Sequence, residues 1–154
     1  MALPVFLRSV VNELEALMDE CTAYLNRETA ELYTVRDEEA AAVEGALDPD
    51  DLPDWLLDEL PTIREILESE IWLGLPTTFD IHEWSIMNDF ACSIDDLDVR
   101  DELLRAIRGR GAFRYFKDSI HRLGIQQDWY DFRTAAFERI AADWLDEHGV
   151  PYTR

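Results

Sequence analysis

Lysine is almost missing from this 154-residue chain: Lys117 stands alone beside 13 arginines. Positive charge as a whole is scarce, with 14 Lys+Arg against 34 Asp+Glu and a formal net charge of −20. Such a field argues against broad binding to a phosphate backbone, so direct DNA binding is not expected. The arginine bias fits either a GC-rich genome or, with the acidity, a salt-adapted host. Cysteine is limited to Cys21 and Cys92, too few and too far apart for a metal or redox spacing. Reduced, buried and inert thiols in a cytosol are the expectation. No apolar run approaches the length of a membrane span. The opening MALPVFLRSVVNELEAL has no basic leader region, and Asn12, Glu13 and Glu15 interrupt its apolar stretch, so no secretory signal is expected. No phosphate-binding loop, dinucleotide fingerprint, nucleophile elbow or H-E-x-x-H pattern occurs, which leaves no catalytic residue, metal or cofactor to name.

What is present is a folding composition, 47% hydrophobic and 11% aromatic. The length suits one domain able to bury its own core. The charge is strongly uneven. Residues 1–99 hold 25 acids and four bases, net −21; residues 100–154 hold nine acids and ten bases, net +1. Two windows sharpen the contrast. Residues 37–70 carry 13 acids and only Arg64, whereas residues 100–122 carry seven of the 14 bases.

Periodicity gives the elements. Leu7, Val10, Val11, Leu14, Leu17, Met18 and Cys21 predict an amphipathic helix over 5–21. Residues 23–26 and 30–35 predict a hairpin joined by Arg27-Glu28-Thr29, a turn without glycine. A short acidic helix over 37–46 ends near Gly45. After the connector Leu47–Asp54, Trp55, Leu56, Leu57 and Leu60 mark a helix that Pro61 ends or kinks. Thr62 with Glu65 has the spacing of a capping box opening another helix to about Glu70. Ile71–Pro76 reads as a strand joining the hairpin in a small antiparallel sheet.

From Asp80 onward the chain is helical. Asp80 and Glu83 have capping-box spacing, before a stripe of Ile81, Trp84, Met87, Phe90 and Ala91. Ser93 or Asp95 caps a helix with Leu97, Leu103, Leu104 and Ile107 inside. Gly109-Arg110-Gly111 breaks the chain before a helix over 112–123 that buries Phe113, Phe116 and Ile120. Gly124-Ile125 fits a C-terminal cap. Asp128 caps a long helix with Trp129, Phe132, Ala136, Ile140 and Trp144 on one face, stopped by Gly149 and Pro151. The fold expected is α+β: a mainly helical single domain, 1–154, with a small antiparallel sheet near the N-terminus. Its halves divide at 76/77.

Three segments, FDIHEWSIMNDF (79–90), AIRGRGAFRYFKDSIHRLGI (106–125) and DWYDFRTAAFERIAADWL (128–145), closely resemble a bacterial family, the uncharacterised protein family 0158 (UPF). The hairpin AYLNRETAELYTV is similar to that family's N-terminal segment, where glycine tends to stand in place of Ala30. The resemblance implies a single compact intracellular domain and no particular chemistry.

Two candidate sites follow from the charge map. At the first, the amides of Gly111 and Ala112 open a helix whose dipole favours anions, and Arg108, Arg110, Arg114 and Lys117 surround them. Arg110, Arg114 and Lys117 fall at i, i+4 and i+7, and guanidinium groups suit bidentate contact with phosphate or carboxylate. The bland alternative is a helical corner whose arginines pair with the chain's own acids. At the second, Asp54, Trp55, Asp58 and Glu59 form an acidic face with an aromatic anchor, able to imitate a phosphate track for a basic, nucleic-acid-binding partner. Its bland alternative is a solvated surface. Residues 97–123 also have the outline of a helix-turn-helix, although Phe113, Phe116, Ile120 and Leu123 consume one face. Asp80, His82, Glu83 and Asp89 are a thin metal or acid–base cluster, better read as a cap and surface pairs. His121 and His148 sit where a cation complements a helix dipole. The expected function is a non-enzymatic cytoplasmic binding or regulatory module taking an anionic group at the basic corner. The acidic decoy is the alternative, and an enzyme without a recognisable motif the third reading.

Overall fold

In the computed structural model, which describes residues 3–45 and 49–154, the first helical stripe is shorter than its periodicity suggests. Strand β1 (Val5–Phe6) leads into helix α1 (Leu7–Ala16), which buries Leu7, Val10, Val11 and Leu14. The helix stops at Leu17, whose backbone is extended, and Met18 is exposed. Cys21 lies beyond the helix because it opens the next strand: β2 (Cys21–Asn26) pairs antiparallel with β3 (Leu32–Arg36) from Cys21↔Arg36 to Leu25↔Leu32. A strand's tertiary pairing here overrides three apolar residues at helical spacing.

The hairpin turn solves its lack of glycine in two ways. Asn26 Oδ1 accepts hydrogen bonds from the Glu28 and Thr29 amides at 2.9 and 3.0 Å, a side-chain-closed turn. Ala30 then takes φ of 65°, the left-handed region. Helix α2 (Asp37–Val43) follows directly and ends before Gly45, as its pattern predicts. Glu39, although buried, accepts the Arg36 amide at 2.9 Å.

The connector expected over 47–54 falls partly on residues 46–48, outside the described residues; a 3-10 turn (Pro49–Asp51) comes next. Helix α3 (Asp54–Glu68) corrects the reading of two helices broken at Pro61, because proline sits inside one continuous helix. The reason is geometric. Leu56, Ile63 and Ile66 form one uninterrupted buried stripe, while Leu57 and Pro61 lie on the exposed side. Water can there take the carbonyl that proline leaves without a partner. Strand β4 (Trp72–Gly74) then pairs antiparallel with β2, completing a three-stranded sheet in the order β3-β2-β4. Ala23 and Leu25 are fully buried. Val35, Ala42, Leu56, Ile63 and Ile66 form a core cluster against which Tyr24, Tyr33 and Trp72 pack.

The second half contains helices α4 (Glu83–Ser93), α5 (Leu97–Ala106), α6 (Ala112–Arg122) and α7 (Gln126–Glu147). Asp80 does not box with Glu83; it accepts from the Thr77 amide and hydroxyl at 2.9 and 3.1 Å, leaving His82 at the α4 N-cap. Asp96, rather than Ser93 or Asp95, caps α5, accepting from the Asp98 and Val99 amides at 3.0 and 3.3 Å. Phe90, Phe116 and Trp129 pack edge to face, with ring centroids 4.8 to 6.1 Å apart, and Phe132 joins them 5.3 Å from Phe90. Trp84, Leu97, Phe113 and Cys92, expected inside, are exposed, and Cys21 is only half-buried, because these positions fall at the edges of their apolar stripes. Gly124, at φ of 71°, and Ile125, whose amide bonds the Ile120 carbonyl at 2.9 Å, close α6 as expected. On α7 the fully covered residues are Trp129, Phe137, Ala141 and Leu145; Phe132, Ala136, Ile140 and Trp144 are half-buried.

Past Gly149, strand β5 (Tyr152–Thr153) pairs in parallel with β1, a pairing too short for the sequence pattern to reveal. Among the described residues the fold is therefore α+β and mainly helical: seven helices, the small antiparallel sheet near the N-terminus, and this two-strand pair. Its contacts form two compact units, residues 1–80 with 141–154, and residues 81–140. The first carries 23 acids and five bases, net −18; the second carries 11 acids and nine bases, net −2. None of the described helices is long and apolar enough to cross a membrane.

Candidate functional site: the basic corner between α5 and α6

The corner is built by two left-handed glycines, Gly109 at φ of 80° and Gly111 at φ of 75°. Both signs of φ cost glycine about the same, which is why the chain can reverse here. The backbone entering the corner is pinned from α4: Trp84 donates its Nε1–H to the Ile107 carbonyl at 2.9 Å. Ile107 itself is buried. Gly111 is the α6 N-cap and has no side chain to cap the first turn, and no side-chain cap bond to α6 occurs among the described residues. The exposed Tyr115 ring lies against Gly111, 3.1 Å from where a Cβ would stand.

The six residues singled out there divide cleanly. Gly111 and Ala112 form the helix entrance, as predicted. Arg108, Arg110, Arg114 and Lys117 are all exposed, and among the described residues none of them has a carboxylate within 4.0 Å. The internal pairs involve other bases of the same unit: Arg122 with Glu102, and Arg133 with Glu83. Arg100 is consumed by the Ile94 carbonyl, which accepts from Nε and Nη2 at 3.0 and 2.8 Å. Arg105 donates to the Asp101 carbonyl at 3.3 Å. Arg105 and Arg122 are exposed as well, so what sets the corner's four bases apart from these is the lack of an internal acceptor among the described residues and not exposure.

The acidic candidate lies on α3. Asp54, Trp55, Asp58 and Glu59 are all exposed, Trp55 by 52%. Asp54, Asp58 and Glu65, at i, i+4 and i+11, share one side of the helix opposite the Leu56–Ile63–Ile66 stripe. Glu59 accepts the Tyr33 hydroxyl at 3.4 Å. Burial, followed by Glu59 and Glu39 and the Glu59 hydrogen bond, raises the Tyr33 phenol above its ordinary value.

The remaining sequence candidates are dispersed. His82 and Asp89 are exposed, and Glu83 is engaged by Arg133. Among the described residues no group of three His, Cys, Asp or Glu side chains could hold a metal ion. His148 Nδ1 lies 2.8 Å from the Trp144 carbonyl, at the helix end where a donor is favoured. Sequence reasoning missed a cavity of about 220 Å³ lined by Glu83, Met87, Phe113, Phe116, Lys117, Trp129, Tyr130 and Arg133. Its signal lies in the aromatic and cationic residues close together on α6 and α7, but helical periodicity places Phe113 in the core.

Fold and corner together define a mainly helical α+β protein with a basic, glycine-hinged helix entrance on its less acidic unit. The chain belongs to the Uncharacterised protein family (UPF0158), whose sequence model matches residues 4–153. No curated protein matches it, and no solved structure does.

Proposed function

We propose that the chain is a non-enzymatic binding or regulatory module of the bacterial cytoplasm, whose basic corner takes an anionic group from a ligand or partner protein. One observation carries the reading: Arg108, Arg110, Arg114 and Lys117 face water and, among the described residues, have no internal carboxylate within 4.0 Å, in a chain with 34 acids. Exposed acids elsewhere would make such pairing easy. Four bases left outward beside uncapped helix amides suit phosphate or carboxylate, which accepts from both kinds of donor. Specificity comes from geometry, because the overall negative charge repels polyanions at longer range.

The test is capture from a lysate of the native host, with the wild-type chain and the Arg110→Glu/Arg114→Glu variant as paired baits. A partner or ligand lost in the variant supports the corner. One that stays bound to the variant refutes it. The half-exposed Trp55 beside Asp54, Asp58 and Glu59 favours a second reading, an acidic decoy for a basic, nucleic-acid-binding partner. A partner lost with Trp55→Ala and Asp58→Asn, and not with the arginine variant, supports that one.

A further inference from the structure

The cavity between α4, α6 and α7 has a composition that packing alone does not call for. Its floor is apolar and closed: Met87, Phe116 and Trp129 are almost completely buried. Its walls are two rings that remain half in water, Phe113 at 48% and Tyr130 at 53% exposed. Covering such a ring gains about 25 cal/mol for each Å² of apolar surface removed from water. Lys117 and Arg133 supply two positive charges, and the only carboxylate, Glu83, is engaged with Arg133. The Arg133 guanidinium also lies over the Phe137 ring, 4.5 Å from its centroid. The lining therefore carries a net single positive charge, and Lys117 has no internal carboxylate within 4.0 Å among the described residues.

We infer that this cavity binds a small aromatic anion: one ring inserted between Phe113 and Tyr130 over Trp129, with its carboxylate or phosphate group held by Lys117. The size sets the class. At about 220 Å³ the space is smaller than the roughly 300–1,000 Å³ of drug-sized sites, so it takes a single ring and not a nucleoside or a peptide segment. Offset or edge-to-face stacking on the flanking aromatics supplies affinity, and the charge-assisted hydrogen bond to the ammonium group selects the anion. The inference goes beyond the basic corner and needs only Lys117 of that set.

The experiment is an NMR titration of the full chain with phenyl phosphate, inorganic phosphate and benzyl alcohol, followed on the Trp129 indole N–H and the Tyr130 and Arg133 amides, which lie on α7 and away from the corner. Phenyl phosphate should shift these signals saturably, while the ringless and the uncharged probe each bind at least tenfold more weakly. Lys117→Gln should weaken phenyl phosphate about tenfold and Lys117→Arg restore most of it; both changes lie on an exposed side chain. Arg110→Gln/Arg114→Gln should leave the affinity within twofold, which separates this cavity from the corner. Equal binding of inorganic phosphate, an affinity unmoved by Lys117→Gln, or no shift at Trp129 would each overturn the inference.

Discussion

Ala30 occupies a backbone conformation that suits it badly, and replacing it with glycine should stabilise the protein. Its φ of 65° puts the Cβ against the following carbonyl, a cost of about 1–2 kcal/mol for a residue with a side chain. Glycine removes that strain but loosens the unfolded chain, which returns roughly 0.4–1 kcal/mol. The net gain expected for Ala30→Gly is therefore about 0.5–1 kcal/mol. The turn's other supports remain: Asn26 Oδ1 still accepts from Glu28 and Thr29, and the residue-30 amide still bonds the Asn26 carbonyl at 2.9 Å. At this chain length the gain corresponds to roughly 1–4 °C in Tm. Urea titration gives the more direct number, as a higher midpoint with an unchanged slope. Ala30→Val should move the other way, since a branched side chain tolerates the left-handed region least. A glycine variant no more stable than wild type would refute the strain argument.

Three further outcomes follow from the same geometry. Phe116→Ala, at a fully buried ring 4.8 Å from Trp129, should cost about 3–5 kcal/mol by urea unfolding; a loss under about 1.5 kcal/mol would mean that the aromatic cluster collapses to fill the space. Asp96→Ala removes the acceptor of two α5 amides and should cost about 1 kcal/mol in the same assay, whereas Asp95→Ala should cost almost nothing. Burial and nearby carboxylates raise the phenol pKa of Tyr24 and Tyr33, so the folded state keeps those protons longer than the unfolded one. Stability is then complete below pH 10, the ordinary value, and falls as pH climbs through the raised values. Tyr33→Phe should shrink the difference between urea midpoints at pH 9 and pH 11, and an undiminished difference would count against this origin.

Much of the architecture was legible because local and tertiary signals agree. Gly45, Gly124 and Gly149 all end helices at positive φ where the apolar patterns stop, and Trp72–Gly74 joins the hairpin because an isolated strand cannot stand. The failures have physical causes. Pro61 reads as a breaker only when its missing hydrogen bond must be buried; here it faces outward. Leu17 and Cys21 extend the α1 stripe by spacing, but pairing with Arg36 draws Cys21 into the sheet. The β1–β5 pair joins residues almost 150 apart and is two residues long, below any periodicity. At the candidate site, the glycine hinge and the four bases were legible as residue types. Their lack of carboxylate partners among the described residues was not, since a sequence with abundant acids permits either pairing. The ring-lined cavity was hidden because an exposed phenylalanine such as Phe113 reads as core.

The measurement that bears most directly on the basic corner is a titration of the isolated protein with inorganic pyrophosphate at low salt, read on the backbone amides of Ala112, Phe113 and Arg114. Saturable shifts that weaken at least tenfold in Arg110→Glu/Arg114→Glu, and fade as salt rises, are the expected result. Amides that stay still to millimolar pyrophosphate, or that respond equally in the variant, would contradict it.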